Sequence, residues 1–257
     1  MNWLTLLVTI LCVLHAQSTP DRSPRIINGQ ASNLQPYNVY ILYLNVNNAG
    51  FFGGGSIISP LHVLTSAQSI VGFVQWQVGM GSNTFSQLTT VVSSVATAHA
   101  EYNSLTKAND IGIVTLPTSL VFTAYVQPIA LPPLVAQIDQ LPLENEQGSV
   151  VGFGFTSVTS VAPSVNLLRA YLRVTNNLRC QQFYQITLPQ HFCAENTVEF
   201  SNICNGDIGA GFVTDVGGTQ TVTGIASLIT ESCGNSSPSG FTRVASYRQW
   251  IYSLTQV

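Results

Sequence analysis

The stretch Cys204-Asn205-Gly206-Asp207-Ile208-Gly209-Ala210-Gly211 places a cysteine, an aspartate and three glycines in one short loop, and the chain on either side of it reads as β. Just beyond it, Thr221 to Leu228 is a β-branched run. Working outward, similar runs recur at Leu168 to Val174, Ser149 to Phe155, Ile111 to Leu116, Val91 to Thr97, Phe51 to Ile58 and Val39 to Leu44. Short runs of this kind, separated by Gly, Asn, Ser and Pro, are the signature of an all-β sandwich or barrel. Only Tyr247 to Leu254 reads as helix, with Tyr247, Trp250, Ile251 and Leu254 at i, i+3, i+4 and i+7. Pro128, Pro132, Pro133 and Pro142 mark a linker, at about residues 126–145, between two halves. No internal repeat of fixed period and no low-complexity tract is present.

Composition limits what such a chain can do. Of 257 residues, 46% are hydrophobic and 7% charged, with 8 Lys+Arg against 11 Asp+Glu. That balance excludes a basic nucleic-acid binder and argues against intrinsic disorder. The surface is expected to carry few charges. With Arg22, Arg25 and Asp21 removed in a processed form starting at Ile26, the balance becomes 6 basic against 10 acidic residues, a net charge of -4.

The amino terminus carries an apolar run, Leu4 to Leu14, ending at His15-Ala16-Gln17. It reads as a secretory signal peptide cleaved near Ala16 (residues 1–16), although no basic residue precedes the run. A membrane anchor needs about 20 apolar residues. Export leaves Cys180, Cys193, Cys204 and Cys233 once Cys12 is removed, an even set that reads as two disulfides with three possible connectivities. No CxxC pair supports a zinc site, and neither metal nor cofactor is expected. All four cysteines lie in the second half, so the first half must hold together by core packing.

Several segments together resemble the chymotrypsin-like (S1) serine protease family over nearly the whole chain after Arg25. Arg25-Ile26-Ile27-Asn28-Gly29 is similar to the activation site, Gly53-Gly54-Gly55-Ser56-Ile57-Ile58 to the strand before the histidine, and Leu64-Thr65-Ser66-Ala67-Gln68-Ser69 to the histidine motif. Asn109-Asp110-Ile111-Gly112 resembles the aspartate motif, Val151-Gly152-Phe153-Gly154 an inter-barrel glycine strand, and Cys204 to Gly211 the serine motif. Gly224-Ile225-Ala226-Ser227 and Phe241-Thr242-Arg243-Val244 follow in the family's order. The resemblance implies two six-stranded antiparallel β-barrels with a C-terminal helix, filling residues 26–257 after a short activation peptide at 17–25.

Catalysis in that family needs a hydroxyl nucleophile, an imidazole that takes its proton and a carboxylate that orients the imidazole. At the matched positions the imidazole is replaced by Gln68, the carboxylate remains as Asp110, and the nucleophile is replaced by Ile208. An amide is no base near neutral pH, and an isoleucine side chain holds no attacking atom. Losing such members costs on the order of a millionfold in turnover. Among other histidines, His62 reads as a turn residue, His99 as a non-catalytic loop residue, and His191 as part of a loop held by a disulfide. Asp110 is then expected to be structural, accepting from the Gln68 side chain and from Ser227.

The resemblance carries further implications. Cleavage after Arg25 would free an Ile26 ammonium to pair with Asp207. Asn202 would lie at the base of the primary specificity pocket, beside Ser227, with Ile229 narrowing its mouth. The disulfides would be Cys180–Cys193 and Cys204–Cys233, while Gly53 and Ser69 stand where the family has the bridge flanking its histidine. Asn235-Ser236-Ser237 is a sequon, although Pro238 follows it.

These readings point to a secreted serine protease homologue that binds extracellular proteins (proteases, inhibitors or their substrates) as a decoy, cofactor or regulator of proteolysis, with no nucleic-acid or membrane partner after signal removal. Two alternatives remain at this stage. One is a serine-type hydrolase with an altered catalytic site. The other is a structural extracellular matrix or secretion protein, for which low charge and abundant Asn, Gln, Ser and Thr would suit matrix association. The sequence leaves the oligomeric state open.

Overall fold

The computed structural model describes residues 29–134, 140–157, 159–185, 189–196, 201–230, 233 and 237–257. In chain order the elements are β1 (Gln30–Ala31), β2 (Asn38–Leu44), β3 (Gly50–Ile57), β4 (His62–Thr65), β5 (Gln75–Met80), β6 (Thr89–Ser93), β7 (Val95–Ala98) and β8 (Gly112–Thr115). After the proline-rich connection come β9 (Gln147–Gly152), β10 (Leu168–Val174), α1 (Asn177–Tyr184), β11 (His191–Asn196), β12 (Gly211–Val216), β13 (Thr219–Leu228), β14 (Ser239–Arg243) and α2 (Arg248–Thr255).

The strands form two antiparallel sheets. The second runs β10-β11-β14-β13-β12-β9 and closes on itself where β9 pairs with β10, with β1 added to β10. The first runs β6-β5-β2-β3-β4-β8-β7. Its two edges are consecutive in the chain: the Val91 to Thr97 run breaks at Ser94, so that β6 pairs with β5 and β7 with β8. Ser93 Oγ pins the break, donating to the Thr115 carbonyl at 2.6 Å and accepting from Val95 N at 3.0 Å. The expected pair of six-stranded barrels is therefore refined to one closed six-stranded barrel and one curled seven-strand sheet. Counting the bent β6–β7 segment as one strand restores six.

Period-two alternation builds three cores from these strands. On β4 Val63 points into the first sheet's interior while Leu64 joins a core shared between the sheets, and on β8 Val114 and Ile113 divide in the same way. On β9 and β12, Val150 and Phe212 fill the closed barrel while Val151 and Val213 face the shared core. The shared core also takes Tyr247 and Ile251. The terminal helix thus forms where its pattern places it, but Leu254 is exposed, and Arg248 and Thr255 are buried instead.

A second helix, α1, was not legible in the pattern. It buries only Cys180 and exposes Leu178 and Phe183, so no apolar stripe announces it. It is held by its cap, in which Asn176 Oδ1 accepts from Arg179 N at 3.0 Å, and by the Cys180–Cys193 disulfide to β11. That bridge and Cys204–Cys233 are the two expected pairings.

Inside the closed barrel, Phe192, Phe212 and Phe241 are fully buried and pack with ring centroids 5.1–5.4 Å apart. Phe212→Ala is expected to cost about 3–5 kcal/mol, read as a fall in the urea midpoint with an unchanged slope. A loss below about 1 kcal/mol would show that this barrel does not depend on the cluster.

Candidate functional site

Asp110 stands two residues before the start of β8 and is fully buried between the sheets. The residue before it, Asn109, takes a positive φ of 56°, a conformation that asparagine tolerates better than most side chains. Asn109 is fixed there by Nδ2 donating to the Glu101 carbonyl at 2.9 Å and by Oδ1 accepting from Tyr247 OH at 2.8 Å.

Buried charge needs donors, and Asp110 has them from both sheets. Oδ1 accepts from Gln68 N at 2.8 Å, and Oδ2 accepts from Gln68 Nε2 at 2.6 Å and from Ser227 Oγ at 2.6 Å. The Asp110 carbonyl accepts from Thr242 Oγ1 at 2.9 Å. Gln68 lies on a 3-10 turn, Ala67–Ser69, that follows β4, whereas Ser227 and Thr242 come from β13 and β14. Gln68 Nε2 also donates to the Ser227 carbonyl at 2.9 Å. Burial raises the Asp110 pKa, opposed by the Ser227 and Gln68 hydrogen bonds and by Lys107.

The 204–211 loop is clasped by both sheets. Gly54 N donates to the Ile208 carbonyl at 2.8 Å, and Gly209 N to the Ala226 carbonyl at 2.8 Å. Gly209 has φ +88°, and a Cβ on it would lie 2.3 Å from Thr65 Oγ1 and 2.4 Å from the Gly54 carbonyl, so no larger residue fits without displacing β3 or β4. Gly53 meets a similar limit, since its Cβ would come within 2.5 Å of the Ile208 carbonyl. Ser69, its partner in the missing bridge, instead hydrogen-bonds Ser66 Oγ at 2.8 Å. Ile208 is half-buried, and among the described residues neither Gly206 N nor Ile208 N has a hydrogen-bond acceptor.

Asp207 is fully buried, accepting from Gly154 N at 3.0 Å and Cys204 N at 2.9 Å. Burial pushes its pKa up to about 7, and those backbone donors pull against the rise. Among the described residues no cation is ion-paired with it. Its expected partner Ile26 lies outside the described residues, as do Arg25 and Asn235.

Asn202 is buried and saturated on its oxygen, with Oδ1 accepting from Ile203 N at 2.9 Å and Ser239 Oγ at 2.5 Å while Nδ2 donates to the Ser237 carbonyl at 2.9 Å. Ile229 is half-buried against the core of the closed barrel. Sequence reasoning passed over Ser239 and Tyr184, whose OH donates to the Pro238 carbonyl at 2.5 Å and lies 3.3 Å from the Leu228 carbonyl. Neither residue stands in a motif whose chemistry would have drawn attention.

None of the three other histidines hydrogen-bonds the Asp110 carboxylate. His62 Nδ1 is 2.8 Å from Ser59 Oγ, and the His99 ring packs against Tyr247 and Trp250. His191 is on β11 rather than in a loop, because its strand pairs with β14 at Thr242. It is buried with Nδ1 unsatisfied and its pKa lowered to about 4, chiefly by burial and also by Arg243.

This two-sheet clasp around a buried aspartate agrees with what comparison finds. The Trypsin family model matches residues 26–251, and the chain belongs to that family. Chymotrypsin of Phaedon cochleariae is 30% identical over 246 residues, covering 93% of this chain and 86% of that protein. A solved structure of HL collagenase superposes with a TM-score of 0.79 at 28% identity, covering 90% of this chain and 98% of that one. The inactive CLIP domain-containing serine protease A8 of Anopheles gambiae is 27% identical over 217 residues, covering 78% of this chain and 58% of that protein.

Removing the Gln68 amide by Gln68→Ala is expected to cost about 1–3 kcal/mol in chemical denaturation, because Asp110 Oδ2 keeps only its Ser227 donor. Unchanged stability would mean that the amide contributes nothing to holding the carboxylate.

Proposed function

We propose that this chain is an exported member of the trypsin family that does not cleave peptides and acts by binding extracellular proteins, as a decoy, cofactor or regulator of proteolysis. The observation that carries the reading is the bond from Gln68 Nε2 to Asp110 Oδ2. At the position where the family resemblance puts an imidazole, a primary amide donates both of the bonds its nitrogen makes, to a carboxylate and to the Ser227 carbonyl. Such a group takes no proton from a nucleophile at neutral pH, and Ile208 offers no heteroatom to activate.

The rest of the loop keeps a shape suited to binding. Among the described residues Gly206 N and Ile208 N donate to no protein acceptor, which leaves them free to serve a bound carbonyl oxygen in the proposed binding role. An inactive relative within the same family supports loss of catalysis with retention of the fold. Two disulfides fit an oxidising, extracellular setting, and no helix among the described residues is long and apolar enough to cross a membrane.

A fluorophosphonate probe is expected to leave the purified protein unlabelled, as read by gel fluorescence and intact mass. Labelling of any serine would overturn the non-catalytic reading. Gln68→His with Ile208→Ser is expected to restore little turnover, since Ile229 and the hydrogen-bonded Asn202 alter the pocket as well.

Processing is the second element of the proposal. Amino-terminal sequencing of secreted protein is expected to start at Ile26, with the new ammonium paired to Asp207. In the uncleaved chain Asp207 has a folded pKa raised from 3.8 to about 7. The folded state then binds the proton more tightly, so its contribution to stability is full below about pH 4 and is lost as pH rises to about 7. The cleaved form is expected to lose that slope, because an ammonium partner lowers the carboxylate pKa. The same slope in both forms would refute the ion pair.

A further inference from the structure

Charge is absent from the strands of the first sheet. From residue 26 to residue 100 the chain holds no Asp, Glu, Lys or Arg, and none of the strands β2 to β8 carries one. Beyond Arg25 the first charged residue is Glu101.

The same sheet has open edges. Pairing of β9 with β10 closes the second sheet, but β6 and β7 end the first, β6 pairing only with β5 and β7 only with β8. Opposed residues of an antiparallel pair alternate between exchanging hydrogen bonds and exchanging none. Every second residue of β6 therefore turns its N–H and C=O away from β5. Among the described residues, no backbone group of residues 89–92 finds a partner outside β5.

Sheet edges are ordinarily blunted by a lysine, a proline, an inward-pointing charge or a bulge. Residues 89–98, Thr-Thr-Val-Val-Ser-Ser-Val-Ala-Thr-Ala, contain no charge, no proline and no glycine. Neither strand shows a register shift against its partner. The bend at Ser94 limits the straight edge to the five residues of β6. Val91 and Ala96 pack on the first sheet's core, whereas Thr89, Thr90, Val92 and Val95 are exposed, the two valines by 47% and 57%.

These features select the partner. Outward-facing N–H and C=O groups in extended register are met by another strand. In a two-fold contact the edge meets itself, so each side chain faces its own copy or a near neighbour, and any lysine or glutamate would oppose its like. β6 and the adjoining β5 bring none, and facing valines and threonines pair favourably. We propose that this chain forms a two-fold dimer in which β6 of one copy adds antiparallel to β6 of a second, joining the two first sheets into one. Use of the same edge on both sides closes the assembly at two copies. The dimer stands whether or not the chain cleaves peptides.

Sedimentation equilibrium of the purified secreted chain tests this. A monomer–dimer equilibrium is expected, with a Kd of about 100 μM or tighter. It is expected to persist at about 1 M salt, because no charge pair holds it. Hydrogen exchange on the same protein is expected to show the amides of residues 89–92 slowing as concentration rises through the transition. Val92→Lys adds a charge at the exposed edge and is expected to keep the urea midpoint while weakening dimerisation at least about tenfold. Val46→Lys, in the exposed turn between β2 and β3, is expected to leave dimerisation unchanged. A monomer at about 300 μM, protection that rises elsewhere but not in residues 89–92, dimerisation insensitive to Val92→Lys, or equal weakening by Val46→Lys would overturn the proposal. If Val92→Lys fails to fold, the exchange pattern of the unaltered chain decides.

Discussion

One carboxylate joins the two halves of this molecule. Asp110 belongs to the first sheet by sequence, but its carboxylate takes donors from both, Gln68 behind β4 and Ser227 on β13, while its backbone carbonyl accepts from Thr242 on β14. In a low-dielectric interior an unmatched carboxylate would cost several kcal/mol, so each donor constrains where its own strand can lie. The shared core around Leu64, Ile113, Val151 and Ile225 supplies contact area between the sheets, whereas the aspartate supplies direction.

The same geometry separates two roles that coincide in a working serine protease. A carboxylate can orient an imidazole and can also fasten two barrels together. With glutamine in place of histidine the second role persists without the first, because an amide nitrogen donates as an imidazole nitrogen does. The neighbouring loop follows this pattern, keeping its clasp to Gly54 and Ala226 while presenting an isoleucine.

Much of the architecture was legible because alternation is a strong signal. The runs at Val39 to Leu44 and Leu168 to Val174 coincide with β2 and β10 almost residue for residue. Strands such as β11 and β12 escaped notice: His191–Asn196 carries a histidine, a cysteine and a glutamate in six residues, and Gly211–Val216 opens on a glycine, so neither reads as a clean β-branched run. Helix α1 escaped because a cap and a disulfide, rather than an apolar face, hold it. At the site, Gln68, Asp110 and Ser227 were legible through their motifs. Ser239 was not, because its pairing with Asn202 depends on two segments 37 residues apart meeting in space.

Both disulfides lie within the second half, and the two halves are joined covalently only by the main chain between β8 and β9. A single cut in that connection would leave two separate polypeptides whose association rests on the shared apolar core, the hydrogen bonds to Asp110, the bonds from Gly54 N to the Ile208 carbonyl and from Gln68 Nε2 to the Ser227 carbonyl, and the pairing of β1 with β10. The molecule would then behave as a non-covalent heterodimer. Acid strong enough to protonate that aspartate would act on its cohesion rather than merely on its stability.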